Sequence, residues 1–181
     1  MLRILVVGPT SAPWSDIAGE VAADLARLTQ PGIGLEYRCT GGGPASIRDS
    51  ADALAAAPFV VRTVQAAEHE GFDAVIVDCT DDPGVAMARA AVSIPVIGPG
   101  EAMAAAIADA RPPICHFFCD ELRSLDADVI IQRALGARTV TLGGTGFSHV
   151  ADLLVNAHPD VVVLDPLAVA LDASLAAIAG R

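Results

Sequence analysis

Residues 73–102 read DAVIVDCTDDPGVAMARAAVSIPVIGPGEA, and this stretch decides the fold. Ala74 to Val77 is a short, β-branched apolar run of the kind that forms a strand buried on both faces. Cys79 stands where the run ends. The turn Thr80-Asp81-Asp82-Pro83-Gly84 follows, in which Asp82 can cap a helix and Pro83 can take its first position. That helix is expected to run to about Ala91. A second apolar strand, Ile94 to Ile97, breaks at Gly98-Pro99-Gly100. Strand, cysteine, helix and strand in this order make half of an α/β site, because open parallel sheets bind ligands beyond the carboxyl ends of their strands. A thiol there, near the positive end of a helix, is expected to have a lowered pKa. The plainer reading of Cys79 is a small residue buried at a strand end.

Working outward, Leu2 to Val7 reads as the first strand, with Gly8-Pro9-Thr10-Ser11 as the turn at its carboxyl end. Ser15 or Asp16 can start the next helix, whose Ile17, Val21, Leu25 and Leu28 form one apolar stripe. Leu35 to Cys39 is a strand, and Gly41-Gly42-Gly43-Pro44 a loop at the same edge. Residues 50–71 are helical in pattern, with an interruption expected near Pro58. Beyond the central stretch, Glu101 to Ala110 is an alanine-rich helix and Ile114 to Phe118 a short strand. Asp128 to Leu135 is helical, Arg138 to Leu142 is a strand, and the strand Val161 to Leu164 precedes a closing helix from Leu167 to Ala179.

Composition limits the chemistry. The chain has 181 residues, is 53% hydrophobic but only 4% aromatic, and carries a net charge of −11. Its core must therefore be built from Ala, Val, Leu and Ile, and no basic face is expected for nucleic acid. All eleven basic residues are arginine. Without lysine there is neither a pyridoxal-phosphate Schiff base nor a P-loop. The four cysteines, Cys39, Cys79, Cys115 and Cys119, are too sparse for a disulfide scaffold. With no secretory or membrane-spanning run in the sequence, the expectation is a cytoplasmic protein with reduced thiols and no membrane association. The C-x3-C around His116 lacks a second ligand pair, so no metal site is expected.

The motif V-D-C-T-D-D-P-G at 77–84, followed by Arg89 and by I-P-V-I-G-x-x-E-A at 94–102, resembles the first-cysteine region of the aspartate/glutamate/hydantoin racemase superfamily, nearest its hydantoin and allantoin racemase branch. Gly43-Pro44-Ala45-Ser46-Ile47 and Pro58 fall where that branch has similar residues. The resemblance covers about residues 1–105 well and 125–180 loosely. It implies an α/β fold of mostly parallel sheets flanked by helices, arranged as two similar lobes. The first lobe would be residues 1–105, carrying Cys79. The second would be residues 106–181, shortened, and packed either by itself or with the first as a single domain.

The resemblance also implies a cofactor-independent isomerase with Cys79 as one acid/base group and a small-molecule carboxylate as substrate. Ser46 would shape the pocket. The hydroxyls of Thr10 and Ser11 and nearby backbone N–H groups would hold a carboxylate, although Gly8 and Thr10 replace the asparagines usual in that turn. Family members carry a second catalytic cysteine in the G-C-x-G turn; here that turn is Gly143-Gly144-Thr145-Gly146, so Gly144 replaces the thiol. Racemisation without a cofactor needs two acid/base groups across the substrate. His149 is the nearest group that titrates near neutrality, and Cys115 or Cys119 could be brought close by the altered lobe. His149 can equally be an ordinary helix-start residue.

Three functions stay open: a racemase on an amino-acid-like or hydantoin-like carboxylate; a one-thiol decarboxylase, lyase or cis-trans isomerase; and a non-catalytic paralogue that binds a small acid or a protein partner. For the second, Ser11, Thr80 and Thr145 are candidate donors to an enolate. A mean hydropathy of +0.52 is compatible with a homo-oligomer.

Overall fold

A computed structural model describes residues 1–12 and 14–181, without the side chains at 14–17, 20, 119 and 148. The cap read at Ser15 or Asp16, the place of Ile17 in the stripe, and the side chains of Cys119 and Ser148 lie outside the described residues. Strands β1 (Leu2–Gly8), β2 (Ile33–Cys39), β3 (Ala74–Val77) and β4 (Val96–Ile97) form one parallel sheet in the order β2-β1-β3-β4. Strands β5 (Ile114–Phe118), β6 (Thr139–Gly143) and β7 (Val162–Leu164) form a second parallel sheet in that order. Helices α1 (Trp14–Leu28), α2 (Ser50–His69), α3 (Val85–Arg89) and α4 (Pro99–Ala108) alternate with the first sheet. Helices α5 (Cys119–Ser124), α6 (Ala127–Ala134) and α7 (Ser148–Ala157) accompany the second.

Each central strand of the first sheet is buried on both faces. Val75 and Val77 join Leu5 and Val7 in a cluster with Val60 and Val64 of α2 and Val85 of α3. Ala74 and Ile76 join Ile4 and Val6 in the opposite cluster, with Leu28 of α1. The two-residue period of a strand sends alternate side chains to the two layers, which is why these segments are continuously apolar in sequence. The last helix, α8 (Pro166–Ala179), packs on the first sheet rather than the second. Its Leu167, Ala170 and Leu171 lie in the cluster of Ile4 and Ile76, and each leucine so buried contributes about 1.5–3 kcal/mol. Residues 166–179 therefore pack with the first half of the chain, although they follow the second sheet in sequence.

Asp82 has a different role from the one read in the sequence. The helix after it begins at Val85, with Gly84 in the capping position at φ 75°. Asp82, itself at φ 50°, reaches across to accept hydrogen bonds from Gly100 N and Glu101 N, both at 2.8 Å, and so caps α4. The close approach demands glycine opposite: a Cβ on Gly98 would meet the Asp82 carboxyl. Arg89 completes this corner, with Nε donating to Val96 O at 2.7 Å and the guanidinium paired with Glu101. Helix α2 passes through the exposed Pro58 without interruption.

Candidate functional site

The carboxyl ends of β1 and β3 in the first sheet and of β6 in the second open on a common cleft of about 770 Å³. Its lining includes Thr10, Ser46, Cys79, Thr80, Gly144 and Thr145. Six residues singled out in the sequence thus meet in one place, because every strand here is parallel and all deliver their turns to the same side. Ser11 is exposed, is not part of the lining, and has its N–H committed to Pro44 O at 2.9 Å. His149 is also outside the cleft. It is exposed at the start of α7 and lines a neighbouring cavity of about 330 Å³ with Arg27 and Asp152. Cys115 is directed elsewhere, its Sγ 3.6 Å from Arg133 O.

Cys79 sits in a tight turn. Its N–H donates to Val77 O at 2.7 Å and its carbonyl accepts from Asp82 N at 3.0 Å. The expected lowering of its pKa does not occur. Burial pushes the thiol up to about 11, and the charges of Asp81, Asp78 and Asp82 add to the rise against one opposing backbone hydrogen bond from Asp81. The helix that was to supply a positive end is only five residues long and starts too far along the chain. At neutral pH Cys79 is a thiol, a proton donor.

Its neighbour Asp78 also lines the cleft. Burial pushes the Asp78 carboxyl up to about 6, opposed by hydrogen bonds from Thr145 and Tyr37 and reinforced by the charges of Asp24 and Asp165. Its Oδ1 is buried without a hydrogen-bond partner. Thr145, from the opposite wall, brings its hydroxyl to 3.5 Å from the Asp78 carbonyl oxygen. Tyr37, on β2, is held well above the ordinary phenol range by burial and then by the charge of Asp78, so it stays a hydrogen-bond donor. A Cβ on Gly8 would collide with the Tyr37 hydroxyl. Gly8 thus makes room for a tyrosine from the adjacent strand.

Two arginines line the cleft. Arg48 is paired with Asp52, Nε to Oδ2 at 3.0 Å. Arg123, on α5, lies 5.9 Å from the centroid of the Phe147 ring and has no ion pair among the described residues. Tyr37, Asp78 and Arg123 were not singled out in the sequence. Asp78 had a signal, its place directly before Cys79. Arg123 and Tyr37 had none, since their elements reach the cleft only through the fold.

Residues 4–116 match the family model described as Asp/Glu/hydantoin racemase. A hydantoin racemase of Pseudomonas sp. (strain NS671) is 39% identical over 59 residues, which are 33% of this chain and 24% of that protein. The chain thus spans about a quarter of the length of that curated relative. Allantoin racemase from Klebsiella pneumoniae shares the fold with a TM-score of 0.80 at 21% identity, over 99% of this chain and 88% of that one. A double mutant of arylmalonate decarboxylase in the liganded form gives a TM-score of 0.69 at 12% identity, over 99% of this chain and 94% of that one. At these identities the two solved structures speak to the fold alone.

Proposed function

The chain belongs to the Asp/Glu/hydantoin racemase family, and from that premise we propose that it is a cofactor-independent racemase or epimerase of an amino-acid-like or hydantoin-like small carboxylate, with Cys79 as a catalytic acid/base. The observation that carries this reading is the position of Cys79: just past the carboxyl end of β3, in a cleft that Gly144 and Thr145 of the β6 turn also line. The cleft is large enough for a small molecule. The unpaired guanidinium of Arg123 supports a carboxylate, since a planar cation with several donors suits that group. Thr10, Ser46, Thr80 and Thr145 supply neutral donors around it.

The reaction would begin with loss of a proton from the carbon beside a carbonyl. Its charge would move onto the carbonyl oxygen, where hydroxyl and N–H donors stabilise it. The Cys79 thiol would return a proton to carbon. The test is α-proton exchange in D2O by NMR, with chiral separation, over amino acids, 5-substituted hydantoins and substituted malonates. Exchange with loss of optical purity, reduced at least 100-fold in Cys79→Ala, is the expected result. Exchange unchanged in Cys79→Ala would refute the role of the thiol.

A one-thiol reaction is the second reading. The specific observation for it is that Cys79 is the only thiol lining the cleft among the described residues. Release of CO2 from a malonate with protonation on one face, and no racemisation, would favour it over the first.

A further inference from the structure

We propose that the free edge of β5 is an interface between two copies of this chain, paired antiparallel across a two-fold axis at His116. The inference concerns a surface rather than the chemistry of the cleft, so it stands or falls independently of the racemase reading.

The two sheets differ at this edge. The parallel run β1-β3-β4 of the first sheet is matched in order and direction by β5-β6-β7 in the second. In the first sheet β1 has a further neighbour, β2, in register from Leu2 to Gly8. In the second sheet β5 is the last strand, because the chain between β5 and β6 forms only the short helices α5 and α6. Such an edge is a template for another strand.

The register identifies the groups it offers. Pro113 O accepts from Arg138 N at 2.8 Å, so Pro113 faces β6. By alternation Cys115 and Phe117 also face β6, and Ile114, His116 and Phe118 direct their N–H and C=O groups outward. The Phe118 N–H is already met by Glu121 Oε2 at 2.9 Å. Beyond the ladder with β6, the N–H groups of Ile114 and His116 make no hydrogen bond among the described residues. The side chains of these three outward residues share one face of the sheet. Ile114 and Phe118 are 42% and 65% exposed there, and the His116 ring lies edge-on to Phe118 with centroids 4.5 Å apart.

This pattern is complementary to itself, as an isologous contact requires. About a two-fold axis at His116, the two copies of His116 exchange N–H···O bonds. The Ile114 N–H of each copy then meets the Phe118 C=O of the other. The one outward donor left over is the Phe118 N–H, which Glu121 satisfies within the chain. The same register sets Ile114 of one copy beside Phe118 of the other, twice, as aliphatic–aromatic cross-strand pairs. The flanks of the strand carry opposite charge. Arg111 precedes β5 and Asp120 follows it, and neither has an ion pair among the described residues. Antiparallel pairing brings Arg111 of one copy toward Asp120 of the other at both ends. Only a second copy supplies all three matches from one strand and its flanks. A ribbon this short is smaller than a standard interface, so the dimer should be weak, with Kd on the order of 10 µM.

The test is sedimentation equilibrium of the full chain from about 1 to 200 µM, with hydrogen exchange by mass spectrometry over residues 112–120. Wild-type protein should pass from the 18.4 kDa of one chain to about twice that mass, and exchange over 112–120 should slow in step. Phe118→Lys should weaken the dimer at least 10-fold by placing charge on the shared face. Because Phe118 is exposed, the monomer fold of that variant should be intact, with an unchanged urea midpoint. Arg111→Glu should weaken the dimer at least threefold, and adding Asp120→Arg in the same chain should restore it. Failure of that swap to restore association would overturn the antiparallel pairing. Wild-type protein that stays monomeric over the whole range would overturn the inference and leave the edge to a strand from another protein. A dimer that Phe118→Lys and Arg111→Glu both leave unchanged would overturn it as well, by placing the contact elsewhere on the chain.

Discussion

The two walls of the cleft are built alike and equipped unequally. Each is a turn at the carboxyl end of a central parallel strand, β3 on one side and β6 on the other. On the β3 wall, Asp78, Cys79, Thr80 and Asp81 all carry polar side chains. On the β6 wall, Gly143, Gly144 and Gly146 present none, and Thr145 alone has a hydroxyl, turned toward Asp78. The difference teaches that, of these two turns, one carries the thiol and the carboxylates and the other supplies shape and one hydrogen bond. Parallel topology places both turns at the same cleft, but it does not specify what each one carries.

That contrast can be broken most sharply by the reactivity of the β3 wall. A thiol held at about 11 is mostly protonated at pH 8. Alkylation of Cys79 by iodoacetamide at pH 8, followed by mass spectrometry, should be on the order of 100-fold slower than that of a free cysteine. A rate matching the free thiol would mean that Cys79 is activated after all.

Removing the other titratable group should stabilise the fold. The folded-state pKa of Asp78 is raised, so between the unfolded value near 4 and about 6 the native state binds more protons than the unfolded one. Stability from this group is therefore fully present below pH 4 and is lost as pH rises through 6. Asp78→Asn should gain roughly 1–3 kcal/mol at pH 8 and little at pH 4, read by urea unfolding at the two values. Loss of stability at pH 8 would show that the carboxylate is structural.

The turn beneath Cys79 gives a smaller effect. Asp82→Ala removes the two hydrogen bonds that cap α4 and should cost about 1 kcal/mol in thermal unfolding. An unchanged midpoint would deny the cap. Smallest of all is His149→Ala. Because His149 opens into the neighbouring cavity, exchange activity should change by less than about twofold. A loss of 100-fold or more would give the histidine an acid/base role.

The racemase family, the α/β class, the order of strands and helices apart from the short α5, and the position of Cys79 at a strand end were legible in the sequence. Each is written locally, in the continuous apolar runs of β1 and β3, the glycine and proline breaks after them, and the V-D-C-T-D-D-P-G motif. Gly144 in the turn after β6 could also be read directly, as could the absence of lysine. Only the tertiary structure decided which helix Asp82 caps, where α8 packs, that Tyr37 occupies the space opened by Gly8, and that His149 misses the cleft. It also decided the chemical state of the site. The pKa of Cys79 depends on burial and on three carboxylates around it, and that of Asp78 on contacts with β2, α1, α8 and the far turn. Strand periodicity and turn chemistry act between neighbours along the chain. Desolvation acts between neighbours in space; the charges on Cys79 come from its own turn, whereas those on Asp78 come from elements distant along the chain and are set only when these pack together.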